Sequence, residues 1–162
     1  MVNKIRPNII LTGFMATGKS TVGKLLAKKI GYDFVDTDIM IEKQQAKSIP
    51  ELFSSLGENH FRLLETEIAR ELSKKDNLVI ATGGGLMLNP ANAEYLSRTG
   101  LIFSLIANTE EILNRLTKDT HNQRPLLSVD KPREKIEELL EERSEAYRRF
   151  TTIDTSGKSP DD

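Results

Sequence analysis

Gly13-Phe14-Met15-Ala16-Thr17-Gly18-Lys19-Ser20-Thr21 follows the β-rich run Ile9-Ile10-Leu11-Thr12 and matches the pattern G-x-x-x-x-G-K-[ST]. The residue types are dictated by chemistry. Gly13 and Gly18 let the backbone curl so that amide N–H groups point inward, and the helix that follows aims its positive end at the same point. The stretch therefore predicts a loop that cradles nucleotide phosphates, with Ala16 and Thr17 in its bend. Lys19 would reach the β- and γ-phosphates, the Ser20 hydroxyl would sit on Mg²⁺, and Thr21 would begin the helix proper. Behind the loop, Val22, Leu25, Leu26 and Ile30 recur at helical spacing, and Gly31 is placed to stop the helix.

Working outward, four more β-rich runs, at 32–35, 78–81, 101–106 and 152–153, alternate with longer segments of helical period. That alternation predicts an α/β domain with a mainly parallel sheet. Ser48-Ile49-Pro50-Glu51 reads as a capping box opening a short helix that stops near Gly57. A longer helix then turns Leu63, Leu64, Ile68 and Leu72 inward. Asn89-Pro90 opens a helix ending near Gly100, Asn108 caps one running through Ile112, Leu113 and Leu116, and the last long helix starts near Asp130. Between Leu116 and Asp130 the chain is polar and without period, at a length where loops become lids.

At 162 residues the chain has the length of one ordinary domain. A net charge of −1 lacks the basic excess of a sequence-independent nucleic-acid binder or a membrane-surface protein. With no Cys there is no disulfide framework, thiolate zinc site or Cys nucleophile, and no apolar run nears the ~20 residues of a membrane helix. The start, Met1 to Pro7, lacks the apolar region of a signal peptide, so the expectation is a cytosolic protein.

Two further motifs stand where strands end, the place at which open α/β sheets bind ligands. Asp36-Thr37-Asp38 carries carboxylates two residues apart, which share a side if the backbone is still extended. One could support Mg²⁺ and the other take a proton from an attacking hydroxyl, or Asp38 could simply cap the next helix. Thr82-Gly83-Gly84-Gly85 offers bare backbone to a small ligand, or is a flexible turn. No N-K-x-D motif of a GTPase is present. His60 and His121 stand in polar surroundings and make no triad or metal site.

Taken together, these blocks resemble the shikimate kinases over nearly the whole chain: Gly13 to Thr21, Asp36-Thr37-Asp38 with Ile41-Glu42, and Ser48-Ile49 with Leu52-Phe53. The likeness continues through Gly57-Glu58 with Phe61-Arg62 and Glu65, Ala81 to Gly85, Arg124-Pro125-Leu126-Leu127, Glu142-Arg143 with Tyr147, and Asp154-Thr155. Gluconate and nucleoside monophosphate kinases share only the first block. The resemblance implies a three-layer P-loop NTPase fold with a five-stranded parallel sheet, a shikimate-binding helical segment at about 37–66 and a mobile lid at about 117–130. It implies transfer of the ATP γ-phosphate to the 3-hydroxyl of shikimate, on the route to chorismate and the aromatic amino acids, by a cytoplasmic monomer using Mg²⁺.

The resemblance also assigns roles. Asp36 supports Mg²⁺, Asp38 holds the shikimate hydroxyls and takes the proton, and Arg62 and Arg143 hold the shikimate carboxylate. Glu65 orients Arg62, and Gly83, Gly84 and Gly85 form the wall against the ring, which Phe53 and Phe61 could also pack against if they are not core. Arg124 swings over the phosphates from the lid, while Arg115 and the Thr155-Ser156-Gly157-Lys158 turn flank adenine. Without it, Arg62, Glu65 and Arg143 read equally as a solvated charged face. A catalytically silent nucleotide binder is the rival of another class. Two positions depart from the family pattern: Ala16, where many relatives carry Gly and a methyl fits if φ is negative, and Ala46, where Gly is frequent.

Overall fold

The computed structural model describes residues 7–119 and 129–162. Among these residues five strands alternate with six α-helices: β1 (Asn8–Gly13), α1 (Lys19–Ile30), β2 (Asp33–Asp36), α2 (Thr37–Gln45), α3 (Ile49–Leu72), β3 (Leu78–Ala81), α4 (Pro90–Ser97), β4 (Gly100–Ile106), α5 (Thr109–Lys118), α6 (Pro132–Arg148) and β5 (Thr151–Asp154). A 3₁₀ turn, Leu86–Leu88, joins β3 to α4. The strands pair in parallel in the order β2-β3-β1-β4-β5, which places the most buried strands, β1 and β3, side by side in the interior. The expected α/β architecture with five parallel strands is thus present.

Alternate side chains of β1 divide the core between the two faces of the sheet. Ile10 belongs to the larger cluster with Ile41, Leu52, Ile68, Leu72 and Leu86, whereas Leu11 faces Ala27 of α1 and Val79 of β3. Tight strand contact explains Gly13: it sits at φ +136°, and a Cβ there would lie 2.2 Å from the Leu105 carbonyl oxygen of β4. Loop and strand are therefore locked together at the point where the phosphate loop departs.

Helix signals in the sequence are used largely as read. Gly31 ends α1 in the left-handed region, the Ser48–Glu51 capping box opens α3, and Asn89 and Asn108 cap α4 and α5 through their side chains. The helical path of α3 is broken at Gly57, with φ +80° and ψ 168°. Some bounds shift: α1 begins at Lys19 rather than Thr21, α4 closes at Ser97, and α6 begins at Pro132. Leu63 is a correction, being 62% exposed rather than inward. After the break at Gly57 the buried stripe runs Phe61, Leu64, Glu65, Ile68, Ala69 and Leu72, so a glutamate occupies the inward track and Leu63 falls off it.

Ala46 ends α2 at φ +51°, in the left-handed conformation that disfavours a Cβ, and is exposed. Replacing it by glycine relieves a strain of about 1 kcal/mol. Ala46→Gly is expected to raise the thermal unfolding midpoint by roughly 2–4 °C; an unchanged or lowered midpoint by calorimetry would contradict the strain.

Candidate active site

The phosphate loop is organised before any ligand arrives. Thr17 Oγ1 donates to the Phe14 carbonyl at 2.7 Å, Gly18 takes φ +99° as the N-cap of α1, and Lys19 Nζ donates to the Gly13 and Phe14 carbonyls at 2.8 Å each. Ala16 has φ +59°, opposite in sign to the sequence expectation. The loop must curl there, and Arg115 Nη1 donates to the Ala16 carbonyl at 3.1 Å, an interaction that offsets the cost of the left-handed methyl. Arg115 also donates to Glu111 and to both the hydroxyl and carbonyl oxygens of Thr155, so α5, the loop and the end of β5 meet at one guanidinium. Beside this junction lies a cavity of about 540 Å³, with Thr17, Gly18, Thr21, Thr155 and Lys158 on its wall.

Asp36 and Asp38 do not share one extended backbone. The strand ends at Asp36 and α2 begins at Thr37, because Asp36 itself is the helix cap: its Oδ1 accepts from the amides of Asp38 (3.0 Å) and Ile39 (3.3 Å). Its Oδ2 accepts from Ser20 Oγ at 2.7 Å, joining the second strand to the phosphate loop. Asp38, in the first turn of α2, faces the glycine segment instead. Burial, reinforced by the nearby Asp36 charge, pushes its carboxyl up to about 6.

The glycines after β3 are where the charged side chains converge. A Cβ on Gly83 would lie 2.3 Å from Asp38 Oδ1, one on Gly85 2.3 Å from Arg62 Nη1, and one on Gly84 3.8 Å from Arg143 Nη1. Asp38 and Arg62 thus lie against bare backbone at 83 and 85, and a side chain at either position would displace the tip of that group. Arg62 is held by Glu65, whose Oε2 accepts from Nη1 at 2.7 Å, and by Glu58 at 3.2 Å. Burial raises the Glu65 carboxyl pKa, and Arg62 opposes the shift. Arg143 reaches in from α6 with its guanidinium 5.8 Å above the Phe14 ring.

The sequence-predicted residues therefore fall into two adjoining groups. Gly13, Ala16, Thr17, Gly18, Lys19, Ser20, Thr21 and Asp36 gather at the end of β1, with Arg115 behind them; Asp38, Arg62, Gly83, Gly84, Gly85 and Arg143 gather at the end of β3. Arg124, with His121 and most of the expected lid, lies outside the described residues. Phe61 is buried in the core and stacks at 4.6 Å on the half-exposed Phe53. Among the described residues no helix is long and apolar enough to cross a membrane.

Sequence reasoning gave Thr37 no role. It is fully buried, and its Oγ1 accepts from the Gly83 amide at 2.8 Å, tying α2 to the glycine segment; its position between two aspartates after a strand was the available signal. Thr37→Val removes the acceptor at constant shape and leaves a buried N–H unpaired, at about 1–3 kcal/mol. The expected result is a thermal midpoint lower by roughly 2–10 °C, and wild-type stability would show that the Gly83 amide needs no partner.

A family model described as shikimate kinase matches residues 15–162. A shikimate kinase of Thermodesulfovibrio yellowstonii is 47% identical over 156 residues, covering 96% of this chain and 89% of the relative. One from Thermoanaerobacter pseudethanolicus is 46% identical, with coverage of 96% and 90%. The solved shikimate kinase of Acinetobacter baumannii in complex with shikimate superposes with a TM-score of 0.86 at 39% identity, covering 95% of this chain and 86% of that one. A gluconokinase of Sinorhizobium meliloti, at 16% identity and a TM-score of 0.63, shares the fold. By its family model, its relatives and its fold, the chain belongs to the shikimate kinase family.

Proposed function

We propose that this chain transfers the γ-phosphoryl group of ATP to the 3-hydroxyl of shikimate, giving shikimate 3-phosphate and ADP, and that it acts as a cytoplasmic monomer. The observation that carries the residue assignment is the convergence of Asp38, Arg62 and Arg143 on Gly83–Gly85, one strand away from the phosphate loop. Two guanidiniums suit a planar carboxylate because each presents a rigid fork of donors. A carboxylate accepts hydrogen bonds from ring hydroxyls, and the bare glycine backbone lets a small ring come close. Asp38 thus holds the attacking hydroxyl and accepts its proton, while Arg62 and Arg143 fix the opposite end of the acceptor.

At the phosphate end, the chemistry of the donors fits Mg²⁺. The Ser20 hydroxyl and the Asp36 carboxylate are hard oxygen ligands 2.7 Å apart, in the small number that this ion takes from protein when phosphates and water supply the rest. When bound, Mg²⁺ supplies charge neutralisation for the β- and γ-phosphate oxygens. Lys19 exchanges its carbonyl partners for the same oxygens, and the inward amides of the loop with the α1 N-terminus bind the remainder. Arg124, which lies outside the described residues, would add a further cation over the transferring group. The cavity beside Arg115 and Thr155 receives the adenosine end of ATP. Transfer is direct and in line, with positioning and charge as its sources of rate.

ADP release from Mg·ATP, followed in a coupled assay, is expected to be strongly stimulated by shikimate and not by gluconate or nucleoside monophosphates. Nucleotide binding without turnover on any acceptor would instead identify a silent nucleotide binder. Lys19→Ala is expected to lower kcat by about 100-fold or more, roughly 3 kcal/mol in the barrier. Arg62→Ala and Arg143→Ala are each expected to raise the shikimate KM by about 10- to 100-fold with the ATP KM unchanged. Unaltered shikimate KM in both variants would rule out the carboxylate clamp.

A further inference from the structure

Tyr147 is buried within the cluster of Phe14, Ile112, Leu116 and Ile136, yet its hydroxyl is used: Oη donates to the Gly84 carbonyl at 2.6 Å, across 63 residues of sequence. No peptide in the described chain is cis, so the Gly84–Gly85 peptide holds its C=O and N–H on opposite sides. By fixing the carbonyl toward α6, Tyr147 turns the Gly85 N–H away from α6. Neither the Gly84 nor the Gly85 N–H has a partner among the described residues, and Gly85 is the residue against which Arg62 packs. Tyr147 also lies one helical turn after Arg143, so a single turn of α6 sets both the guanidinium and the peptide plane.

We propose that Tyr147 is a positioning residue for the acceptor: its hydroxyl orients the Gly84–Gly85 peptide so that the Gly85 N–H donates to shikimate in register with Arg143. This rests on the reading of Gly83–Gly85 and Arg143 as the acceptor site. A purely structural alternative has a comparison at the end of the same helix, since Arg149, the C-cap of α6, donates from Nη2 to the Met87 carbonyl at 2.8 Å and so ties the helix end to the same segment beyond the glycines. Arg149 bonds only to backbone carbonyls there and is exposed.

The test compares Tyr147→Phe, which keeps the ring and its packing, with Arg149→Met and Arg143→Ala. Tyr147→Phe is expected to raise the shikimate KM by about 3- to 10-fold, the range of one neutral hydrogen bond, and to leave kcat and the ATP KM within about twofold. The shikimate dissociation constant measured calorimetrically without nucleotide is expected to rise by the same factor. Arg149→Met is expected to lower the thermal midpoint while the shikimate KM stays at the wild-type value. If Tyr147→Phe instead behaves like Arg149→Met, with stability lost and both shikimate constants unchanged, the positioning role is overturned. If Arg143→Ala also leaves the shikimate KM unchanged, the acceptor-site reading fails, and the role of Tyr147 fails with it.

Discussion

A carboxylate on the inward track of a helix is the constraint around which the acceptor side of this cleft is built. Glu65 is buried on the apolar stripe of α3, where an ionised group without a partner is strongly disfavoured. Arg62, one turn earlier, supplies the partner, and the pairing takes away most of the rotational freedom of a long cationic side chain. The guanidinium is thereby aimed at the segment after β3, and the contact is possible only because residue 85 has no Cβ. One buried charge orients a cation, and in that orientation the cation rests against a glycine. The same relation recurs at Gly83, where the approach of Asp38 leaves no space for a side chain.

These short contacts need a stationary backbone, since a loop free to shift by an ångström would relieve them without any consequence for a ligand. Gly83 is anchored by Thr37 and Gly84 by Tyr147, so the segment is held from α2 on one side and from α6 on the other. The phosphate side is anchored by the same kind of cross-link. Asp36 joins the cap of α2 to Ser20, and Arg115 joins the strained Ala16 carbonyl to α5 and Thr155. Asp36 and Thr37 are adjacent, so the start of α2 is pinned to both halves of the cleft. The two halves are consequently held in register by two successive residues, with Asp38 next in the chain.

The architecture was legible because its signals are local. The phosphate-loop pattern, the strand–helix alternation and the Ser48, Asn89 and Asn108 caps act within a few residues of themselves. Two of the misread features depended on partners distant in sequence. Asp36 rather than Asp38 became the cap because the Asp36 carboxylate, on the last residue of β2, can bridge to Ser20 as well. Ala16 takes a positive φ where the loop curls, and an arginine 99 residues away holds its carbonyl. The third was local: Leu63 lost the inward track to Glu65, which is paired there with Arg62, and apolar periodicity alone does not register a buried ion pair. Arg62, Glu65 and Arg143 could be singled out from the family likeness, but their convergence on the glycines is a property of tertiary placement alone.

That division between local and distant signals has a chemical reason. Phosphate binding is carried by backbone amides and a helix end, which one continuous stretch can provide, so the nucleotide side condenses into a motif. Recognition of a small acceptor with a carboxylate at one end and hydroxyls at the other needs opposite charges on opposing walls. No single helix or loop can place Asp38 and two arginines around one ring. They come from α2, α3 and α6, and the glycine segment is the one surface all three share. In the proposed acceptor site such scatter gives selectivity: an acceptor lacking the carboxylate forgoes its pairing with Arg143 and with Arg62, which keeps only its glutamate partners, and one lacking the hydroxyl leaves Asp38 unmatched. On the proposed reading of this site, acceptor choice resides in the spacing among three helices, which the sheet fixes, as much as in the identity of any one side chain.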